Sequence, residues 1–219
     1  MEIEISKPEG PALWAVTGNI GAGKSVVARM LAEKRNAALV DADEEAHRVY
    51  AQNAALRRAL AEEFGRVVLI GGEDSPDGTD VDREVLGRLV FGEENRSALA
   101  RLDAIVRPVL LGRFLELFQN RGSRETVFEG ALILEWGVED WFDKIFFVSA
   151  PDETRAQRIV SRSGGALSLE EARKRVASQV PQEEKSARPG LVVVDNSGTP
   201  AELEKRLDAI LAGFGDGPA

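Results

Sequence analysis

The sequence contains no cysteine and only one histidine, His47. The lack of cysteine excludes disulfide bonds, thiol nucleophiles and thiolate zinc sites, and a single histidine cannot form a histidine metal cluster alone. Any metal ion must therefore be held by oxygen ligands. No apolar run approaches the ~20 residues that a membrane-spanning helix needs, and residues 1–10 alternate in charge instead of resembling a signal peptide. We expect a soluble, cytoplasmic protein with no membrane partner.

Basic residues are outnumbered by acidic ones, since 37 aspartates and glutamates stand against 28 lysines and arginines. The resulting net charge of −9 opposes any general affinity for the negative backbone of nucleic acid, so we expect no nucleic-acid partner. A length of 219 residues allows one large domain, or a core that carries an insertion. The sequence leaves the oligomeric state open.

Residues Gly18–Ser25 match the phosphate-loop pattern G-x-x-x-x-G-K-[ST] in full. An apolar, strand-like run precedes the loop and a helical pattern follows it, which is the context that the motif requires. The glycines let backbone N–H groups converge on a phosphate, and the positive end of the helix dipole adds to the attraction. Lys24 is predicted to reach the β- and γ-phosphates, and the Ser25 hydroxyl to bind Mg²⁺. The predicted nucleotide-binding residues of this loop are Gly21, Ala22, Gly23, Lys24, Ser25 and Val26.

Short apolar runs alternate with segments of helical periodicity along the chain. The predicted strands are Leu13–Val16, Ala38–Val40, Thr126–Phe128, Ile145–Val148 and Leu191–Val194. This alternation predicts an α/β fold with a parallel sheet covered by helices. Binding sites in such sheets lie beyond the carboxyl ends of the strands, so residues that directly follow a strand are site candidates. Asn196, which follows the last strand, is predicted to contact the nucleotide.

About eighty residues separate the second and third predicted strands, which is more than a single crossover helix needs. We therefore predict an inserted helical subdomain. Its helices are predicted at Glu44–Phe64, Arg83–Phe91 and Asn95–Gln119, with a turn at Gly71–Gly78. Pro108 lies inside the third of these helices and predicts a kink or a restart near Arg107.

Residues 151–188 carry eight basic and six acidic residues, in contrast to the acidic remainder of the chain. They are predicted to form two helices joined at Ser163–Gly165. The second helix begins after Ser168, and Glu171 stands three residues on, which is the pattern of a capping box.

Arg155, Arg158 and Arg162 are spaced at i, i+3 and i+7, so they lie along one helix face. Such a row suits a polyphosphate, because arginines stabilise the negative charge that spreads over a phosphoryl group during transfer. The alternative is a solvated face whose arginines pair with carboxylates.

Acidic residues follow two of the predicted strands. Asp41 and Asp43 end the second strand, where one carboxylate can cap the next helix and the other can accept a proton from an acceptor hydroxyl. Capping alone is the alternative. Glu129 follows the third strand, at the usual position of the acidic residue that holds the water shell of Mg²⁺ in phosphate-loop enzymes. A structural cap of the next turn is the alternative there.

The order of these motifs resembles that of the dephospho-CoA kinase family from about Leu13 to about Thr199. The segments that carry the resemblance are VTGNIGAGKS, VDADEEAHRVY, VDREVLGRLVF, FEGALILEWG, QRIVSR, SQVPQEEK and VVVDNSG. The chain departs from the family pattern at two places. Arg107 stands where the family often has histidine, and Glu129 stands where it often has aspartate.

The resemblance implies an ATP-dependent kinase that phosphorylates the ribose 3′-hydroxyl of dephospho-CoA, with Mg²⁺ as cofactor. It implies a three-layer phosphate-loop NTPase fold with a helical acceptor-binding insertion and a helical lid. The nucleotide-binding core comprises 1–43, 126–150 and 189–219, the acceptor subdomain 44–125, and the lid 151–188.

The resemblance also implies roles for individual residues. Asp43 is expected to be the general base, and Lys24, Arg158 and Arg162 to act on the transferring phosphoryl group. Ser25 is expected to bind the metal ion directly and Glu129 to bind it through water. A nucleoside or nucleotide kinase of the same architecture is an alternative, as is an ATPase or switch module, although the long insertion argues against the latter.

Overall fold

The computed structural model describes residues 7–71, 78–91 and 95–214. The chain divides into two compact units. The core unit comprises Met1–Asp41 and Arg121–Ala219, and the helical unit comprises Ala42–Asn120. Within the described ranges, no helix has both the length and the apolar character needed to cross a bilayer.

The strands are β1 (Leu13–Gly18), β2 (Ala38–Asp41), β3 (Leu69–Ile70), β4 (Asp80–Val81), β5 (Thr126–Glu129), β6 (Lys144–Ser149) and β7 (Leu191–Asp195). The core unit contains a five-stranded parallel sheet in the order β2-β5-β1-β6-β7. All five predicted strands are confirmed, and each extends further towards the carboxyl edge of the sheet than predicted. The short strands β3 and β4 form an antiparallel pair in the helical unit.

The helices are α1 (Lys24–Arg35), α2 (Ala42–Gln52), α3 (Ala54–Phe64), α4 (Arg83–Val90), α5 (Arg96–Gln119), α6 (Ile133–Trp136), α7 (Asp152–Arg162), α8 (Leu169–Ala177), α9 (Gln182–Ser186) and α10 (Pro200–Ala212). Short 3₁₀ turns lie at Arg66–Val68 and Glu139–Trp141.

The central strand β1 is buried along its whole length. Because successive side chains of a strand point to opposite faces, Trp14 and Val16 share one face. They belong to a core cluster that also contains Leu31 of α1, Phe146 of β6 and Leu207 of α10. This packing fixes the end of β1 and the start of α1, and therefore the phosphate loop between them.

In the helical unit, the prediction of one helix over Glu44–Phe64 is wrong, because the chain breaks at Asn53. The Asn53 side chain accepts a hydrogen bond from the Leu56 N–H at 2.9 Å and so caps the start of α3. Arg57 donates to two carbonyls of the last turn of α2 at 2.9 and 2.6 Å. Both ends of the break are thus satisfied by side chains, which makes two helices stable where the periodicity alone suggests one.

The predicted restart near Arg107 does not occur, and α5 runs unbroken through Pro108. Proline removes one backbone hydrogen bond and crowds the preceding turn. Buried side chains on both sides of it, including Val106, Leu110 and Phe114, hold the helix in place. The predicted turn at Gly71–Gly78 falls largely outside the described residues.

The region after β6 contains α7, α8 and α9. The predicted turn after α7 and the capping box at Ser168 and Glu171 are confirmed. The third helix, α9, was not predicted, and it is held by tertiary contacts of its buried residues Gln182 and Lys185.

Candidate active site

The phosphate loop has a backbone path that only glycine fits at two positions. Gly21 and Gly23 have φ angles of +77° and +97°. A Cβ atom at Gly21 would lie 2.6 Å from the carbonyl oxygen of Arg155, and one at Gly23 would lie 2.1 Å from Nδ2 of Asn196. The loop is therefore closely enclosed by α7 and by the segment after β7.

The start of α1 carries partial positive charge that can bind an anion. The first four N–H groups of a helix have no intrahelical acceptor, and the dipole places partial positive charge there. No acidic residue occupies the first turn of α1. Lys24, its first residue, has its Nζ atom 3.4 Å from the carbonyl oxygen of Asn19 in the loop. The predicted phosphate contacts are thus together at the end of the central strand.

Oxygen ligands meet beside this loop. The Ser25 hydroxyl donates to Oε1 of Glu129 at 2.7 Å, and Glu129 is only 8% exposed. Asp41 is paired in register with Glu129 in the sheet, so the two side chains share one face. The described residues contain no group of three or more His, Cys, Asp or Glu side chains that could hold a metal ion. A hard cation such as Mg²⁺ fits this oxygen set if phosphate and water complete its coordination.

The arginine row of α7 divides into residues with different surroundings. Arg155 is 2% exposed and each of its nitrogens has an acceptor: Nε donates to the Ile20 carbonyl, Nη1 to Asp152 and Nη2 to Gln179, at 2.8–2.9 Å. Burial lowers the pKa of Arg155, and Asp152 opposes that shift. The pair with Asp152 agrees with the alternative of arginines paired with carboxylates, but the residue is buried and not part of a solvated face.

Arg158 also contacts the phosphate loop. Its Nη1 donates to the Ala22 carbonyl at 3.1 Å and its Nη2 to the Asn196 carbonyl at 2.9 Å. Arg162, at the end of α7, is exposed and has no hydrogen bond or ion pair with another described residue. The guanidinium group of Arg162 is therefore exposed, whereas that of the half-buried Arg158 is partly occupied by backbone carbonyls.

Asn196 links β7 to the same loop. It is 7% exposed, and its side-chain amide donates to the Ala22 carbonyl at 2.8 Å. Its backbone N–H donates to the carbonyl of Ser149 at 2.8 Å. The side chain therefore supports the loop that was predicted to bind nucleotide.

Asp43 lies in the first turn of α2, in the helical unit, and is exposed. Glu44 and Glu45 occupy the same turn, where negative charge is favourable near the helix N-terminus. The predicted base is thus presented on the surface of this helix end, and its role stays a prediction.

Sequence reasoning missed Asn19 and Gln179 as site residues. The Asn19 amide donates to the Val180 carbonyl at 2.9 Å, and the Ile20 N–H donates to Oε1 of Gln179 at 2.9 Å. Gln179 lies 159 positions from Ile20 in sequence, so no spacing pattern connects them. The only sequence signal was the segment SQVPQEEK, which belongs to the family resemblance.

Comparison with known proteins decides the family. The family model described as dephospho-CoA kinase matches residues 12–202 of this chain. The chain belongs to the dephospho-CoA kinase family. Dephospho-CoA kinase from Geobacter sulfurreducens is 39% identical over 201 residues, covering 90% of this chain and 95% of the relative. The enzyme of that name from Deinococcus radiodurans is 38% identical over 209 residues, with 94% coverage of both.

Solved structures share the fold of this chain. The crystal structure of TT1252 from Thermus thermophilus is similar with a TM-score of 0.71 and 33% identity, covering 94% of this chain and 100% of that one. Shikimate kinase from Acinetobacter baumannii has a TM-score of 0.53 at 15% identity, covering 95% and 96% of the two chains, and shows the fold alone. The predicted α/β phosphate-loop kinase fold is thus confirmed.

Proposed function

We propose that this chain transfers the γ-phosphoryl group of ATP to the 3′-hydroxyl of the ribose of dephospho-CoA, giving CoA and ADP. Its family makes it an ATP-dependent kinase that phosphorylates dephospho-CoA in coenzyme A biosynthesis. The choice of hydroxyl and the roles of individual residues are the proposal. The choice of hydroxyl follows from the family resemblance. The contact between Ser25 and Glu129 beside the phosphate loop supports the assignment of the phosphate and metal residues.

In the proposed reaction the 3′ oxygen forms a bond to the γ-phosphorus while the bond from that phosphorus to the bridging oxygen of ADP breaks. Asp43 accepts the proton of the hydroxyl. Lys24 and the N–H groups at the start of α1 bind the phosphate oxygens, where negative charge spreads in the transition state. Arg162, with Arg158, adds positive charge to the same group when the lid closes.

Mg²⁺ is part of the proposal. Ser25 would bind it directly and Glu129, whose carboxylate lies beside the Ser25 hydroxyl, would bind it through a water molecule. The ion, when bound, would reduce the negative charge of the phosphate oxygens during transfer. Phosphate and water would supply the remaining ligands, because the described part of the chain has no group of three or more acidic or histidine side chains that could hold a metal ion.

In this proposal the core unit binds ATP and the helical unit binds dephospho-CoA. The core unit binds ATP through the loop after β1. The predicted acceptor subdomain, 44–125, corresponds largely to the helical unit, which runs from Ala42 to Asn120. The lid lies within residues 151–188, and Arg162 at the end of α7 is its exposed arginine.

A test of the acceptor follows from this proposal. With ATP and Mg²⁺, we expect kcat/KM for dephospho-CoA to exceed that for adenosine or AMP by at least about 10²-fold, because remote binding energy orients the reacting hydroxyl. Steady-state assays with the three acceptors measure this, and NMR of the product identifies the phosphorylated hydroxyl. Comparable values for adenosine and dephospho-CoA would favour a nucleoside kinase. ATP hydrolysis that needs no acceptor would favour an ATPase.

Arg162→Ala is expected to lower turnover by about 10- to 100-fold while the KM for dephospho-CoA changes little, since a charge-assisted contact made in the closed state is lost. Arg173→Ala is the matched control: this exposed arginine of α8 pairs with Glu153 on the surface, and its loss should leave turnover unchanged. An Arg162→Ala defect confined to acceptor KM would assign the residue to acceptor binding instead.

A further inference from the structure

The phosphate loop is held from outside by the segment that follows α8. The Ile20 N–H donates to Oε1 of Gln179, and the same oxygen accepts a bond from Nη2 of Arg155, both at 2.9 Å. The Ile20 carbonyl accepts a bond from Nε of Arg155, also at 2.9 Å. The carboxamide oxygen of Gln179 thus accepts hydrogen bonds from both the phosphate loop and Arg155. Arg155 in turn donates to the next peptide group of the loop.

The side chain of Ile20 is fixed as well. It packs against the small apolar core formed between α7 and α8 by Ala156, Ile159, Ala172 and Val176. Asn19 donates to the Val180 carbonyl at 2.9 Å. Backbone and side-chain contacts therefore hold Asn19 and Ile20 of the phosphate loop against α7, α8 and the segment Gln179–Val180, all of which belong to the predicted lid.

The direction of these bonds determines where the loop's other polar groups point. In a trans peptide the N–H and the C=O point in opposite directions. Because the Ile20 N–H points towards Gln179, the carbonyl of Asn19 in the same peptide points away from it, and this oxygen lies 3.4 Å from Nζ of Lys24 and accepts from the Ala22 N–H at 3.3 Å. Because the Ile20 carbonyl points towards Arg155, the Gly21 N–H points away from Arg155.

We propose that Gln179 is a positioning residue for ATP: its carboxamide oxygen sets the Asn19–Ile20 peptide and thereby the positions of Lys24 and of the loop N–H groups that bind phosphate. This inference rests on the proposed phosphate-binding role of the loop. Gln179 itself touches no reacting atom.

Gln179→Leu is expected to lower kcat/KM for ATP by about 10-fold or more, because the Ile20 N–H and one Arg155 donor lose their acceptor and the loop relaxes. The KM for dephospho-CoA should stay close to that of the parent enzyme. Gln179→Glu should recover most of the loss, because a carboxylate accepts the same two bonds and pairs with Arg155. Steady-state kinetics with each substrate varied in turn, and melting curves of each variant, measure these effects.

Gln182→Leu is the matched control. This buried glutamine of α9 also binds a peptide through its amide, accepting from the Ala150 N–H at 3.1 Å and donating to the Ala150 carbonyl at 2.8 Å. It makes no hydrogen bond to the phosphate loop among the described residues. Its loss should lower the melting temperature and leave kcat/KM for ATP near the parent value.

The inference is overturned if Gln179→Leu keeps the parent kcat/KM for ATP, if Gln182→Leu loses as much, or if Gln179→Glu is as impaired as Gln179→Leu. A Lys24→Ala variant assayed in parallel separates the two proposals. If it loses turnover while Gln179→Leu does not, the positioning role is wrong and the phosphate-binding role of the loop stands. If Lys24→Ala keeps turnover, the role of the loop itself is wrong.

Discussion

Lys24→Ala is expected to lower turnover by about 10²–10³-fold at saturating ATP, with the fold retained. The ammonium group lies at the start of α1 beside the loop carbonyl of Asn19, where it can move to the β- and γ-phosphates. Its attraction to the phosphoryl group grows as charge spreads in the transition state, so its loss affects kcat beyond ATP binding. The side chain belongs to no apolar cluster, and the core around α1 should be unaffected.

The measurement is a steady-state assay with ATP and dephospho-CoA varied, accompanied by a melting curve. Lys34→Ala provides a control within the same helix, since Lys34 pairs with Glu204 and Asp208 of α10, near the other end of α1. That variant should lose some stability and keep its turnover. Turnover near that of the parent enzyme in Lys24→Ala would contradict the assignment of the phosphate loop.

The sequence predicted those parts of the site whose structure depends on residues close together in the chain. The phosphate loop needs left-handed backbone at Gly21 and Gly23, and the motif states that requirement directly. Strands β1 and β5 are short runs buried on both faces, and such runs are recognisable without knowledge of their partners. The edge strands β2 and β7 are partly exposed, and their β-rich apolar residues alone predicted them. The acidic residue Glu129 was predicted by its place after a strand, and its contact with Ser25 agrees with that position.

The parts that the sequence did not predict depend on residues far apart in the chain. Helical spacing placed Arg155, Arg158 and Arg162 on one face, but spacing cannot tell that the first is enclosed by Gln179 and the loop. The unbroken course of α5 through Pro108 has the same origin, because packing of its buried residues outweighs a local preference. Tertiary contacts thus decide what local patterns leave open.

Asp43→Asn is expected to lower turnover by about 10²–10⁴-fold with little change in ATP binding. The substitution keeps the shape of the side chain and most of its hydrogen bonds. It removes the ability to accept a proton from the ribose hydroxyl, which matters only as the new bond to phosphorus forms, so the defect should appear in kcat. The exposed position of Asp43 in the first turn of α2 makes a large effect on folding unexpected.

Two further variants distinguish a base from a general charge effect. Glu44→Gln removes one negative charge from the same exposed helical turn, and it should cost a similar small amount of helix stability with turnover unchanged. Asp41→Asn alters the half-buried last residue of β2 and should lower the melting temperature instead of turnover.

If Asp43→Asn keeps more than about a tenth of the parent turnover when chemistry is rate-limiting, the base assignment is wrong, because proton acceptance is worth more than that. In that case positioning by Lys24, Mg²⁺ and the lid must account for the rate, and a loss of turnover in Asp41→Asn would transfer the role to the neighbouring carboxylate.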